Sequence, residues 1–292
     1  MPQTTIKFLG IGAQKAGTSW LHKNLKEHPE IWMPPRKELH YFDRSPNYPS
    51  PSFLASDNFS TRINGQEEHH KDFKKKLEQE LTQALKNTNN DETIKWYLNY
   101  FLGTYNDDWY NSLFTQGKHQ VSGEITPAYS FLSIKDIQHI HTLYPKLKII
   151  LILRNPIERA WSHLRFHIKL NKFSKNSDIA EMKQFIDSEK QVLRSDYLSI
   201  IHNWSSIFPK KQLHICFYDE IKESPQNFLN NIFNFLEISP LLLNQQTLEK
   251  KVNVSTSKSM PIDIEKYLRR KYAQSIKELA NTLGSYTKNW LD

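Results

Sequence analysis

The amino-acid sequence predicts an α/β protein in which a parallel β-sheet is covered by helices on both faces. Residues 6–11 and 148–153 (KIILIL) are apolar runs without alternation, as is typical of parallel strands buried on both faces. A segment with helical spacing follows each run, with Leu21 and Leu25 four residues apart after the first. Strands that alternate with helices in this way form parallel sheets. The helix carries the chain back to the end of the sheet where the previous strand began, so the next strand runs in the same direction.

The remaining elements follow from local patterns of apolar, proline and glycine residues. Pro156 stands at the first helical position after the second strand, where its missing N–H has no cost. We predict further strands at 31–33 and 212–217, and a segment over 121–129 that runs from a short strand into a turn. We predict helices at 71–86, 134–143, 170–190 and 197–208, from Ser224-Pro225 onward, and before a stop at Gly284.

We predict one domain over residues 1–292, because no repeat or composition boundary divides the chain. Residues 44–70 contain three prolines and little apolar periodicity, which predicts a long loop or lid. Residues 96–114 are rich in aromatic side chains, which are more typical of a core or pocket wall than of a nucleic-acid surface. We therefore expect residues 44–115 to be an insertion that shapes a ligand pocket.

Composition restricts the function classes. Lys and Arg exceed Asp and Glu by 39 to 31, so the formal charge is +8, which suits either a solvated surface or an anionic ligand. The single cysteine, Cys216, lies in an apolar run and is expected in the core, so neither an internal disulfide nor a cysteine metal site is possible. His69 and His70 are adjacent and are expected on a surface loop rather than around a metal.

No secretory leader or membrane-spanning segment is evident. The apolar run after Lys7 is too short for a signal peptide, and Gln14 and Lys15 follow it. No run approaches the roughly 20 apolar residues that a membrane helix needs. The sequence therefore predicts a cytoplasmic protein.

The turn at residues 12–17 is a candidate anion site. It follows a strand and precedes a helix, so backbone N–H groups and the positive end of the helix dipole converge there. Lys15 adds a full positive charge, and Thr18 and Ser19 add hydroxyl groups.

A second anion site is predicted at the end of the strand over 148–153. Arg154 lies at its carboxyl end, Asn155 is a good N-cap, and Glu158 is expected to complete a capping box. Ser162 falls about two turns into the helix. Because ligands of parallel α/β sheets bind outside the carboxyl ends of the strands, one ligand with two separated anionic groups could use both sites.

Two common nucleotide motifs do not fit. A Walker A loop requires its lysine after the second glycine, but here Lys15 precedes Gly17. The dinucleotide fingerprint begins with Gly10 and Gly12, but its third glycine position is Lys15.

The order lysine, any residue, glycine, threonine, serine resembles the sulfotransferases that depend on 3′-phosphoadenosine 5′-phosphosulfate (PAPS). Four segments resemble this family, and particularly its heparan sulfate branch and soluble bacterial-type relatives, in family order. They are 14–19 (QKAGTS), 37–43 (KELHYFD), 123–129 (GEITPAY) and 153–162 (LRNPIERAWS). Residues 217–220 (FYDE) and the loop near Lys251 extend the resemblance more weakly. The resemblance implies the P-loop-like sulfotransferase fold.

The resemblance also implies roles for individual residues. Lys15 would contact the 5′-phosphate and the bridging oxygen, and Arg154 and Ser162 would bind the 3′-phosphate. The remaining donor contacts would come from Ala16, Gly17, Thr18, Ser19, Tyr218 and Lys251. The resemblance implies PAPS as co-substrate, 3′-phosphoadenosine 5′-phosphate (PAP) as product, and no metal.

On the acceptor side, Glu38 matches the carboxylate that heparan-type members use as a general base. His40 is the alternative base, or else the residue that orients Glu38. Glu124 is either a buried partner of a loop or a contributor to the acceptor site. Heparan-type members often have lysine where this chain has Ile125, which argues against a glycosaminoglycan acceptor.

The resulting prediction is an enzyme that moves a sulfuryl group to a hydroxyl or amine of a carbohydrate, lipid or secondary metabolite. A P-loop-like nucleotide kinase is the alternative enzyme class, although the lysine position disfavours it. A basic nucleic-acid binder is a third class, but the sequence contains no known DNA- or RNA-binding motif.

Overall fold

The computed structural model describes residues 6–46, 48, 53–87, 90–170, 178–249 and 259–291. Five strands form one sheet in the order β2-β3-β1-β4-β5, and every neighbouring pair is parallel. The strands are β1 (Ile6–Gly12), β2 (Ile31–Trp32), β3 (Val121–Ile125), β4 (Lys148–Leu153) and β5 (Leu213–Phe217). The predicted α/β class with a parallel sheet is confirmed.

Helices occupy most of the rest of the described chain. The first seven are α1 (Thr18–Leu25), α2 (Phe59–Asn64), α3 (Glu68–Asn87), α4 (Asp91–Leu102), α5 (Asp107–Ser112), α6 (Ile134–Leu143) and α7 (Pro156–Lys169). The later ones are α8 (Ile179–Asp187), α9 (Glu189–Ser195), α10 (Tyr197–Ser205), α11 (Tyr218–Glu223), α12 (Pro225–Leu236), α13 (Gln245–Glu249) and α14 (Ile262–Leu283). The helix predicted over 170–190 is therefore α8 and the start of α9, with 171–177 outside the described residues.

The sheet is buried on both faces. Consecutive residues of the central strands, such as Phe8 and Leu9 or Ile150 and Leu151, are each fully buried although their side chains point to opposite faces. Cys216 is also buried, as predicted. Burial of both faces explains why these strands are continuous apolar runs rather than alternating ones.

Parallel pairing brings the carboxyl ends of the strands to one edge. Gly12 of β1 is in register with Leu151 of β4, and Leu153 of β4 with Phe217 of β5. Beyond β1, the Ala13 N–H donates to the Ile152 carbonyl oxygen at 2.6 Å, so the pairing continues into the turn. The segments that leave the strands at this edge contain the residues predicted for the two anion sites and the base.

The prediction of a loop over residues 44–70 was wrong from residue 59 onward. Helix α2 lies within it, and α3 begins at Glu68 rather than at 71. The buried residue of α2 is Arg62, whose guanidinium donates to the carbonyl oxygens of Phe101 and Gly103 and lies 3.6 Å from the centroid of the Tyr105 ring. Phe59 and Ile63 of α2 are four residues apart and pack against the core, but in a helix of six residues this single pair is too weak a pattern to predict the helix.

The prediction of a surface loop at His69 and His70 was also wrong. Both residues lie in the first turn of α3, and His70 is buried. Its Nδ1 lies 2.7 Å from Glu67 Oε2, and its ring covers Gly65, where an added Cβ would lie 2.0 Å from Nδ1. His70 is therefore part of the packing between α2 and α3.

The aromatic segment 96–114 is core, as predicted. Trp96 and Tyr100 stack with ring centroids 5.3 Å apart, and the rings of Tyr105, Trp109 and Tyr110 are buried with them. This cluster lies directly against the loop that follows β2, because the Tyr41 ring stacks on Tyr110 at 4.7 Å.

Candidate functional site: an anion cradle facing a carboxylate

The turn after β1 has the backbone geometry of an anion cradle. Lys15 and Gly17 adopt positive φ angles of 69° and 91°, and the Ala16 N–H closes the turn on the Ala13 carbonyl oxygen at 3.2 Å. A Cβ on Gly17 would lie 2.9 Å from Ile221 and 3.0 Å from the Tyr218 ring, so glycine alone fits. Helix α1 begins immediately after it, so its first N–H groups point toward the turn.

Positive charges converge on this cradle. The Lys15 Nζ lies 4.3 Å from the centroid of the Phe166 ring on α7. Burial, together with the charges of Arg154 and Arg165, lowers the pKa of the Lys15 ammonium to about 8, and the Glu38 carboxylate partly offsets this shift. Like charges held together in a half-buried site create a strong preference for an anionic ligand.

Arg154 joins the two predicted anion sites. Its Nη1 donates to the Lys15 carbonyl oxygen at 3.0 Å, and its guanidinium lies 4.4 Å from the centroid of the Tyr218 ring. Its Nη2 donates to Glu158 Oε2 at 2.9 Å. The guanidinium therefore lies between the turn after β1 and the first residue of α11.

The expected capping box at the start of α7 is not formed. Asn155 is the N-cap and accepts from the Ile157 N–H at 3.0 Å, as predicted. Glu158, however, pairs with Arg154 and Lys222 instead of folding back to the cap. A guanidinium within reach offers the carboxylate a stronger, charge-assisted bond than a backbone N–H.

The loop that contains the predicted base, residues 37–43 and called the base loop below, lies after β2. Three of its side chains form a row of ionisable groups, called the relay below. Glu38 forms an ion pair with Lys37, and its Oε2 lies 3.5 Å from His40 Nε2. On the other side of the ring, His40 Nδ1 lies 2.7 Å from Asp43 Oδ2. The Glu38 side chain is 37% exposed whereas Asp43 is 2% exposed, so Glu38 is the accessible end of the relay.

The charges in this relay fix its protonation. Burial opposes the charge on His40, but the carboxylates of Asp43 and Glu38 prevail and raise the pKa of the imidazole to about 10. Burial likewise opposes ionisation of Glu38, but His40 and Lys37 hold the pKa of its carboxyl well below its usual range. At neutral pH the pair is an imidazolium beside a carboxylate.

Glu124 is a buried partner of the base loop, which decides between the two roles considered for it. Its carboxylate is 1% exposed and accepts the Leu39 N–H at 3.1 Å. It also accepts hydroxyl groups from Tyr110, Thr126 and Tyr129 at 2.6–2.9 Å. Thr126 and Tyr129 are close to Glu124 in the sequence, whereas Leu39 and Tyr110 are more distant and meet it only in the fold.

Known proteins resemble the chain along nearly its whole length. The sequence profile of the sulfotransferase domain matches residues 6–278. The chain belongs to the sulfotransferase family. The match covers the cradle, the base loop and the Arg154 segment, so all of them lie within the family domain.

Relatives of this sulfotransferase include far longer proteins. The human bifunctional heparan sulfate N-deacetylase/N-sulfotransferase 2 is 25% identical over 253 residues, which cover 83% of this chain but 23% of that protein. The membrane-associated sulfotransferase kil1 of Dictyostelium discoideum is 22% identical, and the match covers 95% of this chain and 65% of that protein. The chain thus spans about a quarter of the length of the heparan sulfate relative.

Solved structures share the fold. The sulfotransferase from Alicyclobacillus acidocaldarius has a TM-score of 0.66 at 22% identity, covering 98% of this chain and 99% of that one. Mouse sulfotransferase SULT7A1, solved as a complex with PAP, has a TM-score of 0.50 at 14% identity, with 99% and 89% coverage. The sheet and flanking helices of this sulfotransferase are therefore those of the family fold.

The remaining predicted site residues are distributed as follows. Ser162 is buried on α7, one turn before Phe166 and thus on the helix face that Lys15 approaches. Ala16 and Thr18 are buried at the start of α1, with Ser19 half-buried beside them. Lys251 lies outside the described residues.

Sequence reasoning missed Arg165, whose charge acts on both Lys15 and Arg154. The available signal was its position three residues after Ser162, on the same face of α7.

Within the described ranges, no group of three or more His, Cys, Asp or Glu residues is arranged to hold a metal ion. No helix among those residues has the length and apolar character needed to cross a membrane.

Proposed function

We propose that this sulfotransferase moves a sulfuryl group from PAPS to a hydroxyl or amine of a carbohydrate, lipid or secondary-metabolite acceptor. The observation that supports the proposal best is the hydrogen bond from Arg154 to the Lys15 carbonyl oxygen. It links the anion-binding turn after β1 to the arginine at the end of the neighbouring strand β4. A 3′,5′-bisphosphorylated nucleotide has two anionic groups, so one such ligand could occupy both of these neighbouring sites. The profile match over 6–278 supports a single sulfotransferase domain.

In this proposal the donor lies across the two strand ends. The turn with Gly17, Thr18 and Ser19 holds the 5′-phosphosulfate, while Arg154 and Ser162 hold the 3′-phosphate. Ala16 contributes backbone to the turn, and Tyr218, whose ring stacks on Arg154, lies on the adenine side. Lys251 would belong to the loop that closes over the 3′-phosphate.

The reaction is an in-line displacement at sulfur. The acceptor oxygen or nitrogen forms a bond to sulfur, and the bond from sulfur to the bridging oxygen of PAPS breaks. The acceptor proton passes to the Glu38 carboxylate, and the negative charge that develops on the bridging oxygen is stabilised by the Lys15 ammonium. As in phosphoryl transfer, positioning and charge stabilisation supply most of the rate enhancement.

Nucleotide selectivity tests the donor site. We expect PAP to bind about 100-fold more tightly than AMP, because charge-assisted hydrogen bonds to a phosphate contribute about 1.5–3 kcal/mol each. Isothermal titration calorimetry with PAP, AMP and ATP plus Mg²⁺ measures the difference. Equal affinity for PAP and AMP would contradict the proposal, and preference for ATP with Mg²⁺ would favour the kinase alternative.

A variant of Arg154 locates the selectivity. Arg154→Ala should reduce the ratio of PAP to AMP affinity to about one; since Arg154 also bonds the Lys15 carbonyl, AMP affinity should fall less than PAP affinity, and the melting temperature is the control for folding. The matched variant Arg270→Ala removes an exposed arginine of α14 and should alter neither affinity. Selectivity that survives in Arg154→Ala would assign the 3′-phosphate to other residues.

A groove beside the base is the proposed position for the remote part of the acceptor. It has a volume of about 870 Å³ and lies between the chain that follows β2 and helices α3 and α4. Lys37 lines it and pairs with the Glu38 carboxylate, so the groove begins one side chain from the proposed base. Helices α3 and α4 belong to residues 44–115, the segment expected to shape the acceptor pocket.

The groove lining favours a polyhydroxylated acceptor over a lipid. Amide side chains of Gln79, Gln83 and Gln116 line it together with the rings of Trp32 and Tyr97. Amides both donate and accept hydrogen bonds, as hydroxyl groups do, and aromatic rings pack on the apolar faces of sugar rings. Its volume lies in the upper part of the range of about 300–1,000 Å³ typical of ligand pockets.

Filling the groove tests this position. With an acceptor identified by a PAPS-dependent sulfation screen of sugars, lipids and phenols, Gln83→Trp should raise the acceptor KM by about tenfold, equivalent to about 1.4 kcal/mol. The affinity for PAP should not change. Thr82→Trp, on an exposed neighbouring position of α3 that does not line the groove, is the control. An unchanged KM in Gln83→Trp would place the acceptor elsewhere.

A further inference from the structure

The base loop has a backbone that its own sequence does not favour. Glu38 and His40 adopt φ angles of 64° and 57°, in the left-handed region that side chains with a Cβ rarely enter. Two such residues, separated only by Leu39, persist when the surrounding structure fixes them. The contacts that fix this loop therefore determine where the Glu38 carboxylate and the His40 ring lie.

One buried carboxylate anchors the loop on both sides of His40. Glu124 Oε2 accepts the Leu39 N–H at 3.1 Å. Glu124 Oε1 accepts the Tyr129 hydroxyl at 2.9 Å, and the oxygen of that hydroxyl accepts the Tyr41 N–H, also at 2.9 Å. Leu39 and Tyr41, on either side of His40, are thus both held by the side chain of Glu124 on β3. Leu39 is hydrogen-bonded to it directly, and Tyr41 is connected to it through the Tyr129 hydroxyl.

The carbonyl groups of the same loop are fastened from another direction. Arg36 Nη1 donates to the Glu38 carbonyl oxygen at 2.6 Å, and the Tyr100 hydroxyl donates to that of Leu39 at 3.1 Å. These bonds constrain the carbonyl groups of the loop, and a single fixed orientation needs a second constraint on its N–H groups. The bonds through Glu124 and Tyr129 supply that second constraint.

We propose that Glu124, acting through Tyr129, is a positioning residue that fixes the orientation of the Glu38–His40 pair toward the acceptor. The inference rests on the proposed function, in which Glu38 is the base. Neither Glu124 nor Tyr129 touches the reacting atoms, since both are buried behind the loop. Their contribution is to hold the base where an acceptor proton can reach it.

The bonds to Glu124 divide into two kinds, which makes the inference testable. The Tyr129 hydroxyl connects the carboxylate to the Tyr41 N–H of the loop, whereas the Thr126 hydroxyl donates to Glu124 Oε2 at 2.6 Å. Both residues are fully buried, and each loses one hydroxyl in the variants Tyr129→Phe and Thr126→Val. A purely structural role for the cluster would make the two variants equivalent.

The experiment compares these variants in steady-state kinetics with the acceptor from the sulfation screen. We expect Tyr129→Phe to lower kcat about tenfold with the KM for PAPS and the Kd for PAP changed by less than about twofold. Thr126→Val should keep kcat within about twofold of the unmodified protein, even where its melting temperature falls equally. Equal kcat losses that follow the melting temperature in both variants would overturn the positioning role.

A double-mutant cycle separates this inference from the proposed function. In the Glu38→Gln background, Tyr129→Phe should lower kcat no further, because the group it positions is already removed. If Glu38→Gln alone leaves kcat unchanged, the proposed base is wrong. If Glu38→Gln abolishes turnover and Tyr129→Phe has the same effect as Thr126→Val, the proposed base stands and the positioning role is wrong.

Discussion

Glu38→Gln is expected to lower kcat by about 10²–10⁴-fold while the Kd for PAP changes by less than about twofold. The amide has nearly the same shape as the carboxylate but cannot take the acceptor proton, so the loss appears in the chemical step. Single-turnover sulfation with the acceptor from the screen measures that step, and calorimetry with PAP checks that the donor site is intact.

The matched control is Glu78→Gln, which changes an exposed carboxylate of α3 and should leave both measurements unchanged. A full rate in Glu38→Gln would eliminate Glu38 as the base. The alternative base, His40, is disfavoured because its pKa is raised to about 10, so at neutral pH the ring already carries the proton that a base must accept.

The pH dependence of the reaction follows from the same charges. The pKa of the Glu38 carboxyl is held well below its usual range, so the carboxylate remains ionised as the pH falls toward 5. We therefore expect that protonation of Glu38 does not lower the rate as the pH falls from 7 to 5. A base with an ordinary imidazole pKa would instead lose activity below about pH 6.5.

Those site residues that depend on local sequence could be predicted without the structure. The strand over 148–153 and Pro156 place Arg154 at the end of a strand, and the order of Lys15 and Gly17 excludes the Walker A loop. The signals are local because a strand end and a helix start each need only a few residues to define them.

The support of the site could not be predicted in the same way. Glu124 accepts hydrogen bonds from the nearby Thr126 and Tyr129 and also from Leu39 and Tyr110, and no periodic pattern links positions 39 and 110 to position 124. Buried polar groups of this kind are satisfied by tertiary partners, which sequence periodicity does not encode. The same reason explains why the sequence predicts a loop at Arg62 and at His70, although both lie in helices and are buried.

Lys15→Met is the second substitution with a large expected effect. Methionine keeps the length and apolar contacts of the lysine stem but cannot stabilise the charge on the bridging oxygen, so kcat should fall by about 10²–10³-fold. The matched control is Lys75→Met, which removes an exposed lysine of α3 and should leave kcat and the Kd for PAP unchanged. Full activity in Lys15→Met would remove Lys15 from the reaction.

The same lysine should make PAP affinity depend on pH. In the free protein the pKa of Lys15 is lowered to about 8, and the phosphates of bound PAP would raise it again by their negative charge. Above pH 8 the complex therefore holds more protons than the free protein, so affinity should fall as the pH rises, by at most about tenfold per pH unit. The second pKa of a phosphate is near 6, so the phosphates of PAP are fully ionised above pH 8 and add little to the pH dependence of the affinity. Calorimetry between pH 7 and pH 9.5 should show this decline in the unmodified protein and a flat profile in Lys15→Met; the same slope in both would mean that the ammonium does not contact the phosphates.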